Sequence, residues 1–223
     1  MIPSFKPIHQ RAVARKGAAA LRRLLPSNRT PAQLARIPDD RWLAEITRRV
    51  FCAGFVWKII EHKWPGFEKA FKGFRPLAVA QLSDEALEKL ASDTRIVRNY
   101  WRVVSVRANA LFVLEIAREH GSFGRFIAQW PTEDIVGLYA LLKKRGSRLG
   151  GMSGQYFLRS MGKDTFLLTT DVVACLNAHG VIDTPNPSSK RDLEKIQRTF
   201  NTWRQETGLT LSALSRIASC SVD

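Results

Sequence analysis

The stretch Leu149-Gly150-Gly151-Met152-Ser153-Gly154, followed by an apolar segment and then Thr169-Thr170-Asp171, decides how this chain is read. Gly150, Gly151 and Gly154 let the backbone turn tightly and come close to a phosphate with no Cβ in the way. Upstream, Pro131-Thr132-Glu133-Asp134 through Lys143-Lys144-Arg145-Gly146 carries an N-cap threonine, acids in a first turn, bases in a last turn and a glycine stop. That pattern predicts one helix over the whole span. A second helix is expected to open around Ser153 to Gln155, where free amides and the positive helix end suit an anionic phosphate. Two helices joined by such a turn are also an ordinary packing corner, so the hairpin alone leaves both readings open.

Charge favours the phosphate. The 223 residues carry 35 Lys and Arg against 20 Asp and Glu, a net charge of +15 with a pI near 10.4. Such a balance suits a polyanionic partner, nucleic acid being the simplest. A membrane-facing surface would also be basic, but no apolar run approaches the roughly 18 to 20 residues of a membrane span. With 45% hydrophobic residues the chain has enough apolar content for one compact domain or two packed lobes. Cys52, Cys175 and Cys220 are odd in number and far apart, which argues against a secreted disulfide framework and for a reducing compartment, the cytoplasm with its nucleoid.

Residues 1–30 read as a basic N-terminal extension to a domain spanning 31–223. Up to residue 29 the extension has seven bases and no acid, and it lacks the uninterrupted apolar core of a signal peptide. It could dock on the domain, lie along DNA phosphates, act as a transit segment or remain a solvated tail. Asp39 and Asp40 cap a helix with Leu43, Ile46, Val50 and Ala53 at helical spacing, and Gly54 breaks it. A second helix is expected from Trp57 to just before Pro65, and a short one from Ser83-Asp84-Glu85. The longest, over 95–119, should bury Ile96, Tyr100, Val103, Val104, Leu111 and Leu114 on one face. Further helices are expected over Ser122 to Trp130, Asp171 to His179, Ser188 or Ser189 to Glu206, and Leu211 to Ile217. No alternating apolar pattern calls for a sheet, so the chain reads as all-α.

Six segments carry a family resemblance. Cys52-Ala53-Gly54-Phe55-Val56-Trp57, then Phe67-Glu68-Lys69-Ala70-Phe71 and Phe74-Arg75-Pro76, look like the first half of 3-methyladenine DNA glycosylase I. Ile96-Val97-Arg98-Asn99, Arg107-Ala108-Asn109-Ala110 and Leu142-Lys143-Lys144-Arg145-Gly146 follow in that family's order, so the resemblance covers roughly residues 40–180. It implies a two-lobed, all-helical protein of the helix-hairpin-helix glycosylase type. Such a protein flips a damaged base out of double-stranded DNA and cuts its N-glycosidic bond. Carried over, Trp57 would stack on the extruded base, and Gly54-Phe55 would wedge into the gap left in the duplex. A tryptophan at helical spacing is otherwise usually a core residue. Gly150, Gly151, Ser153, Gly154 and Gln155 would meet the DNA backbone.

The chain departs from that family at telling places. Eight residues before the tryptophan, where the family has a glutamate that recognises alkylated adenine, stands Arg49. A cation there repels a cationic base, which argues against 3-methyladenine as substrate. Glu45, one turn earlier, either stands in for the missing acid or pairs with Arg48 or Arg49. The family also binds a structural zinc. Here Cys175 matches one ligand position, but Asp171 replaces a histidine and the basic N-terminus offers no cysteine, so no metal is expected, although Cys175 and His179 could be half of a site.

In the wider superfamily an aspartate lies about twenty residues past the hairpin, and Asp171 resembles it in spacing and context. Its carboxylate would stabilise positive charge on the sugar and orient water. Asp171 also suits a plain helix N-terminus. Bifunctional relatives attack the sugar with a lysine on the helix after the hairpin, and Gln155 holds that position. A monofunctional, monomeric enzyme without cofactor is therefore expected, acting on an alkylated purine in base excision repair. The alternatives are a non-catalytic DNA-binding protein that retains the fold and, less well matched to the motif order, an RNA-binding helical module.

Overall fold

A computed structural model describes residues 2–222; positions 1 and 223, where the expected extension begins and the expected domain ends, lie outside the described residues. The fold is all-α, with no strand among the described residues. In chain order the helices are α1 (Lys6–Lys16), α2 (Ala18–Leu24), α3 (Pro31–Ala35), α4 (Asp39–Cys52), α5 (Trp57–Ala70), α6 (Pro76–Ala80) and α7 (Asp84–Ala91). They continue as α8 (Tyr100–His120), α9 (Phe123–Gln129), α10 (Ile135–Arg145), α11 (Met152–Ser160), α12 (Thr170–Ala178), α13 (Lys190–Thr207) and α14 (Leu211–Cys220). They form two compact units, one of residues 29–129 and 139–161, the other of 1–28, 130–138 and 162–223.

The first unit is built around α4 and α8. Trp42 of α4 is fully buried against Phe123 and Phe157, and its indole N–H donates to the Ile37 carbonyl at 3.2 Å. Phe51 packs edge-on to Phe67, while Trp64 stacks with Phe67 and Phe74, joining α4 and α5 to the turn before α6. These contacts explain why α5 does not stop before Pro65 as the sequence suggested. It runs on to Ala70, because burying Phe67 and Ala70 outweighs an interior proline costing about 3 kcal/mol. The buried side of α8 also differs from expectation. Val103, Ser105, Val106, Asn109, Ala110, Phe112, Val113 and Ile116 are buried, whereas Tyr100 and Leu111 are exposed. A helix packed by α4, α6, α7 and α9 has no single apolar stripe.

The helix expected over residues 132–145 is divided. A 3-10 turn spans Thr132–Asp134 and α10 starts at Ile135, with the Asp134 carboxylate, not Thr132, accepting from an early amide, that of Gly137, at 3.0 Å. The short α3 was not anticipated, although Thr30 and Gln33 form a reciprocal capping box around its start.

The second unit packs α1, α12 and α13 around α14. Residues 2–28, set apart in the sequence by charge, carry α1 and α2, and α1 is anchored by a short apolar stripe of Phe5, Ile8 and Ala12. Phe5 lies 5.0 Å from Trp203, whose indole N–H donates to the Pro3 carbonyl at 2.8 Å. The Glu206 carboxylate accepts from the Ser4 hydroxyl at 2.5 Å and the Phe5 amide at 3.0 Å. The segment leading into α12 is held by α14. Asp164 accepts from the Leu211 and Ser212 amides, the Thr165 amide donates to the Ser212 hydroxyl and the Leu167 amide to the Ser215 hydroxyl.

Candidate active site and nucleic-acid interface

The hairpin takes its shape from two glycines. Gly151 caps α11 with φ +58 and ψ −137, a region that residues with a Cβ avoid. A Cβ on Gly154 would collide with the Leu149 carbonyl oxygen, while Gly150 has ordinary clearance. Leu149 is buried and anchors the turn. Asn109 of α8, also buried, clamps it: its side-chain oxygen accepts from the Ser147 amide at 2.8 Å and its amide nitrogen donates to the Ser147 carbonyl at 3.0 Å. The first amides of α11 have no intrahelical acceptor, which makes this end a place for an anion. Ser153 stands on that first turn, partly exposed; Gln155 is buried.

The loop between α4 and α5 faces outward. Phe55, Val56, Trp57 and Ile59 are all exposed, Trp57 at 54%, so Trp57 is not a core tryptophan. Gly54 turns the chain with φ +73. Arg102 of α8 fixes the loop by donating to the Phe51 carbonyl at 2.7 Å and to the Ala53 carbonyl, with its guanidinium 4.4 Å from the Phe55 ring. The sequence reading missed Arg102. Only its position just past the Asn99 cap, within a segment already singled out, hinted at it.

Loop and hairpin meet around one cavity of about 400 Å³, lined by Arg49, Cys52, Ala53, Phe55, Trp57, Met152, Ser153 and Tyr156. Four of these residues, Cys52, Ala53, Met152 and Tyr156, were not among the expected site residues, and Met152 and Tyr156 come from the hairpin helix. Burial pushes the Cys52 thiol up, so it stands as a neutral, apolar group in the wall.

Glu45 faces elsewhere. Its carboxylate accepts from Arg49 Nε at 2.6 Å and from the Ser160 hydroxyl at 2.6 Å, and lies 3.7 Å from Arg48 Nε. It lines a separate cleft of about 550 Å³ together with Arg29, Arg36, Arg41 and Arg48, the last stacked 4.2 Å over Trp64.

Asp171 belongs to the other unit, on the first turn of α12 beyond the Thr169 cap. It is exposed, and its carboxylate has neither hydrogen bond nor ion pair among the described residues. Farther along α12, His179 Nδ1 is 2.8 Å from the Cys175 carbonyl, and the Cys175 thiol is buried, pushed up by that burial, with the Ser221 hydroxyl at 3.4 Å. Among the described residues no three His, Cys, Asp or Glu side chains come together, so these groups do not fit a structural zinc.

Comparison with known proteins agrees with this architecture. Residues 36–184 match the methyladenine glycosylase family. DNA-3-methyladenine glycosylase 1 of Escherichia coli (strain K12) is 25% identical over a match covering 55% of this chain and 74% of that protein. Among solved structures, 3-methyladenine DNA glycosylase I from Staphylococcus aureus superposes with a TM-score of 0.51 at 23% identity, covering 56% of this chain and 77% of that one. The 8-oxoguanine DNA glycosylase of Methanocaldococcus jannaschii superposes with a TM-score of 0.57 at 16% identity, covering 95% of this chain and 89% of its own. The two superpositions speak for the helix-hairpin-helix glycosylase fold alone. The family match spans more than half of the chain, which therefore belongs to the methyladenine glycosylase family of DNA N-glycosylases.

Proposed function

We propose that the protein is a monofunctional DNA glycosylase that flips an alkylated purine from double-stranded DNA and hydrolyses its N-glycosidic bond in base excision repair. The observation that carries this reading is the cavity where the exposed Phe55 and Trp57 meet the start of the hairpin helix at Met152, Ser153 and Tyr156. An outward tryptophan beside a wall of apolar and aromatic groups suits a flat base taken out of the stack. The hairpin amides and the net charge of +15 suit the phosphates that flank it.

In the reaction, Gly54 and Phe55 hold the vacated place in the duplex and Trp57 stacks on the extruded base. Asp171 stabilises the positive charge growing on the sugar as the base leaves and orients the attacking water, a role that an exposed carboxylate without a competing partner is free to take. It is exposed on the first turn of α12, where the Thr169 hydroxyl accepts from the Val172 amide. Gln155 is buried and carries no nucleophile, so the strand is left uncut at an abasic site. The protein acts as a monomer.

A second reading, a DNA-binding protein that no longer excises, is favoured by one observation: Glu45 is spent on Arg49, and no carboxylate lines the Trp57 cavity. Single-turnover base release from randomly alkylated DNA separates the two, with each freed base identified by mass. Release of an alkylated purine that collapses in Asp171→Asn supports the enzyme. Salt-sensitive DNA binding with no release supports the binder.

A further inference from the structure

The charge of the Trp57 cavity speaks to which purine enters it. Among its lining residues the only charged group is Arg49. Its Nε is taken by Glu45, and among the described residues its two terminal nitrogens have no partner. Glu45 is tied to Arg49, Arg48 and Ser160 and lines the other cleft, so it offers no free negative charge here. The Trp57 ring already has the Lys58 ammonium 6.0 Å from its centroid. A base entering this cavity therefore meets a guanidinium with donors to spare and no carboxylate.

We infer that the cavity selects an electrically neutral alkylated purine, read through an acceptor edge by the terminal nitrogens of Arg49, and disfavours purines made cationic by alkylation at a ring nitrogen. The inference rests on the glycosylase reading above and narrows its substrate. Two parallel guanidinium donors match the N7 and O6 acceptors of a guanine, the commonest bidentate contact of arginine with a base. Alkylation on the exocyclic N2 leaves that edge intact and the base neutral. Alkylation at N7 removes one acceptor and places a positive charge against Arg49, so both effects have the same sign. The ion pair to Glu45 orients Arg49 from behind and leaves its outer end for the base.

The test uses the full chain and two DNA duplexes with 2′-fluoro nucleotides, whose glycosidic bonds resist hydrolysis. One carries N2-ethylguanine, the other 7-methylguanine, and an unmodified 2′-fluoroguanine duplex sets the baseline. By fluorescence anisotropy the wild type should bind the N2-ethylguanine duplex about tenfold more tightly than the 7-methylguanine duplex, the lower part of the range for one bidentate contact. Arg49→Gln should bring the two to near equality, and Arg49→Glu should invert their order.

Equal or reversed preference in the wild type overturns the inference, as does a preference that survives in Arg49→Gln or binding no better than baseline for both lesions. Matching 2′-deoxy duplexes test the enzyme separately. Preserved preference without release of either base removes the glycosylase reading and leaves the role of Arg49 standing; faster release of 7-methylguanine keeps the enzyme and removes the inference.

Discussion

Asn109 is the strongest place to probe how the hairpin is held. Its side chain is 1% exposed and makes two hydrogen bonds to one residue, to the Ser147 amide and carbonyl at 2.8 and 3.0 Å. Substituting alanine removes both bonds, each worth about 1 kcal/mol net, and leaves two backbone groups that cost about 1–3 kcal/mol apiece if water cannot reach them. Ser147 is only half-buried, so water recovers part of that cost, and a destabilisation of about 2–4 kcal/mol is expected. In a chain of this size that corresponds to a fall in Tm of roughly 5–15 °C. Asn109→Leu, which fills the space but cannot bond, should lose most of the same energy if the bonds matter more than volume. Urea unfolding of both variants, with hydrogen exchange at the hairpin and DNA affinity at fixed salt, makes the assay. A loss below about 1 kcal/mol in both variants, or a larger loss with unchanged hairpin protection, would refute the clamp.

Three further outcomes are expected. Trp57→Ala should leave Tm nearly unchanged, since the side chain is exposed, while damaged-duplex binding weakens by roughly 5- to 150-fold, the worth of about 1–3 kcal/mol of base stacking; a large stability loss would return Trp57 to the core. Asp171→Asn should slow single-turnover base release by roughly 10²- to 10³-fold, the loss expected when a group facing developing charge is neutralised. Its unfolding curve should stay within about 0.5 kcal/mol of wild type, as for other exposed positions. Glu206 is held below the usual glutamate range, first by the Ser4 hydroxyl and then by the Phe5 amide. Its stabilisation is therefore present above the unfolded-state glutamate pKa of about 4.3 and is lost as pH falls through the lower folded value. An acid titration of stability for Glu206→Gln should be flatter than wild type in that window, and parallel curves would count against the tie.

The sequence made legible what depends on neighbours along the chain. The hairpin could be read because Gly151 and Gly154 are each required locally, one by its dihedrals and one by the Leu149 carbonyl. Starts at Ser83 and Ser189 follow from side chains that bond amides three residues on, whereas the cap before α12 is Thr169 and the sequence had pointed to Asp171. The passage of α5 through Pro65 could not be read, because its compensation comes from Phe51 and Phe74, distant in sequence from Phe67 and Trp64. Nor could the buried side of α8, since burial on several sides erases the periodicity that marks a face. In the candidate site, Phe55, Trp57, Arg49 and Ser153 were singled out from the motif, but Met152, though inside the hairpin stretch, and Tyr156 and Arg102, with ordinary surroundings in sequence, gain meaning only from where α11 and α8 lie.

The tie between Pro3, Phe5 and Trp203 also sets an order of events during synthesis. The α4–α8 unit has all its segments once residue 161 has left the ribosome. Helix α1 must wait for a tryptophan 200 positions after Pro3, at about 5–20 residues per second an interval of roughly 10–40 s. Through that interval the faces of Phe5, Ile8 and Ala12 have no partner from α13 or α14, and a stripe rimmed by Arg11, Arg15 and Lys16 keeps the nascent segment charged while it waits.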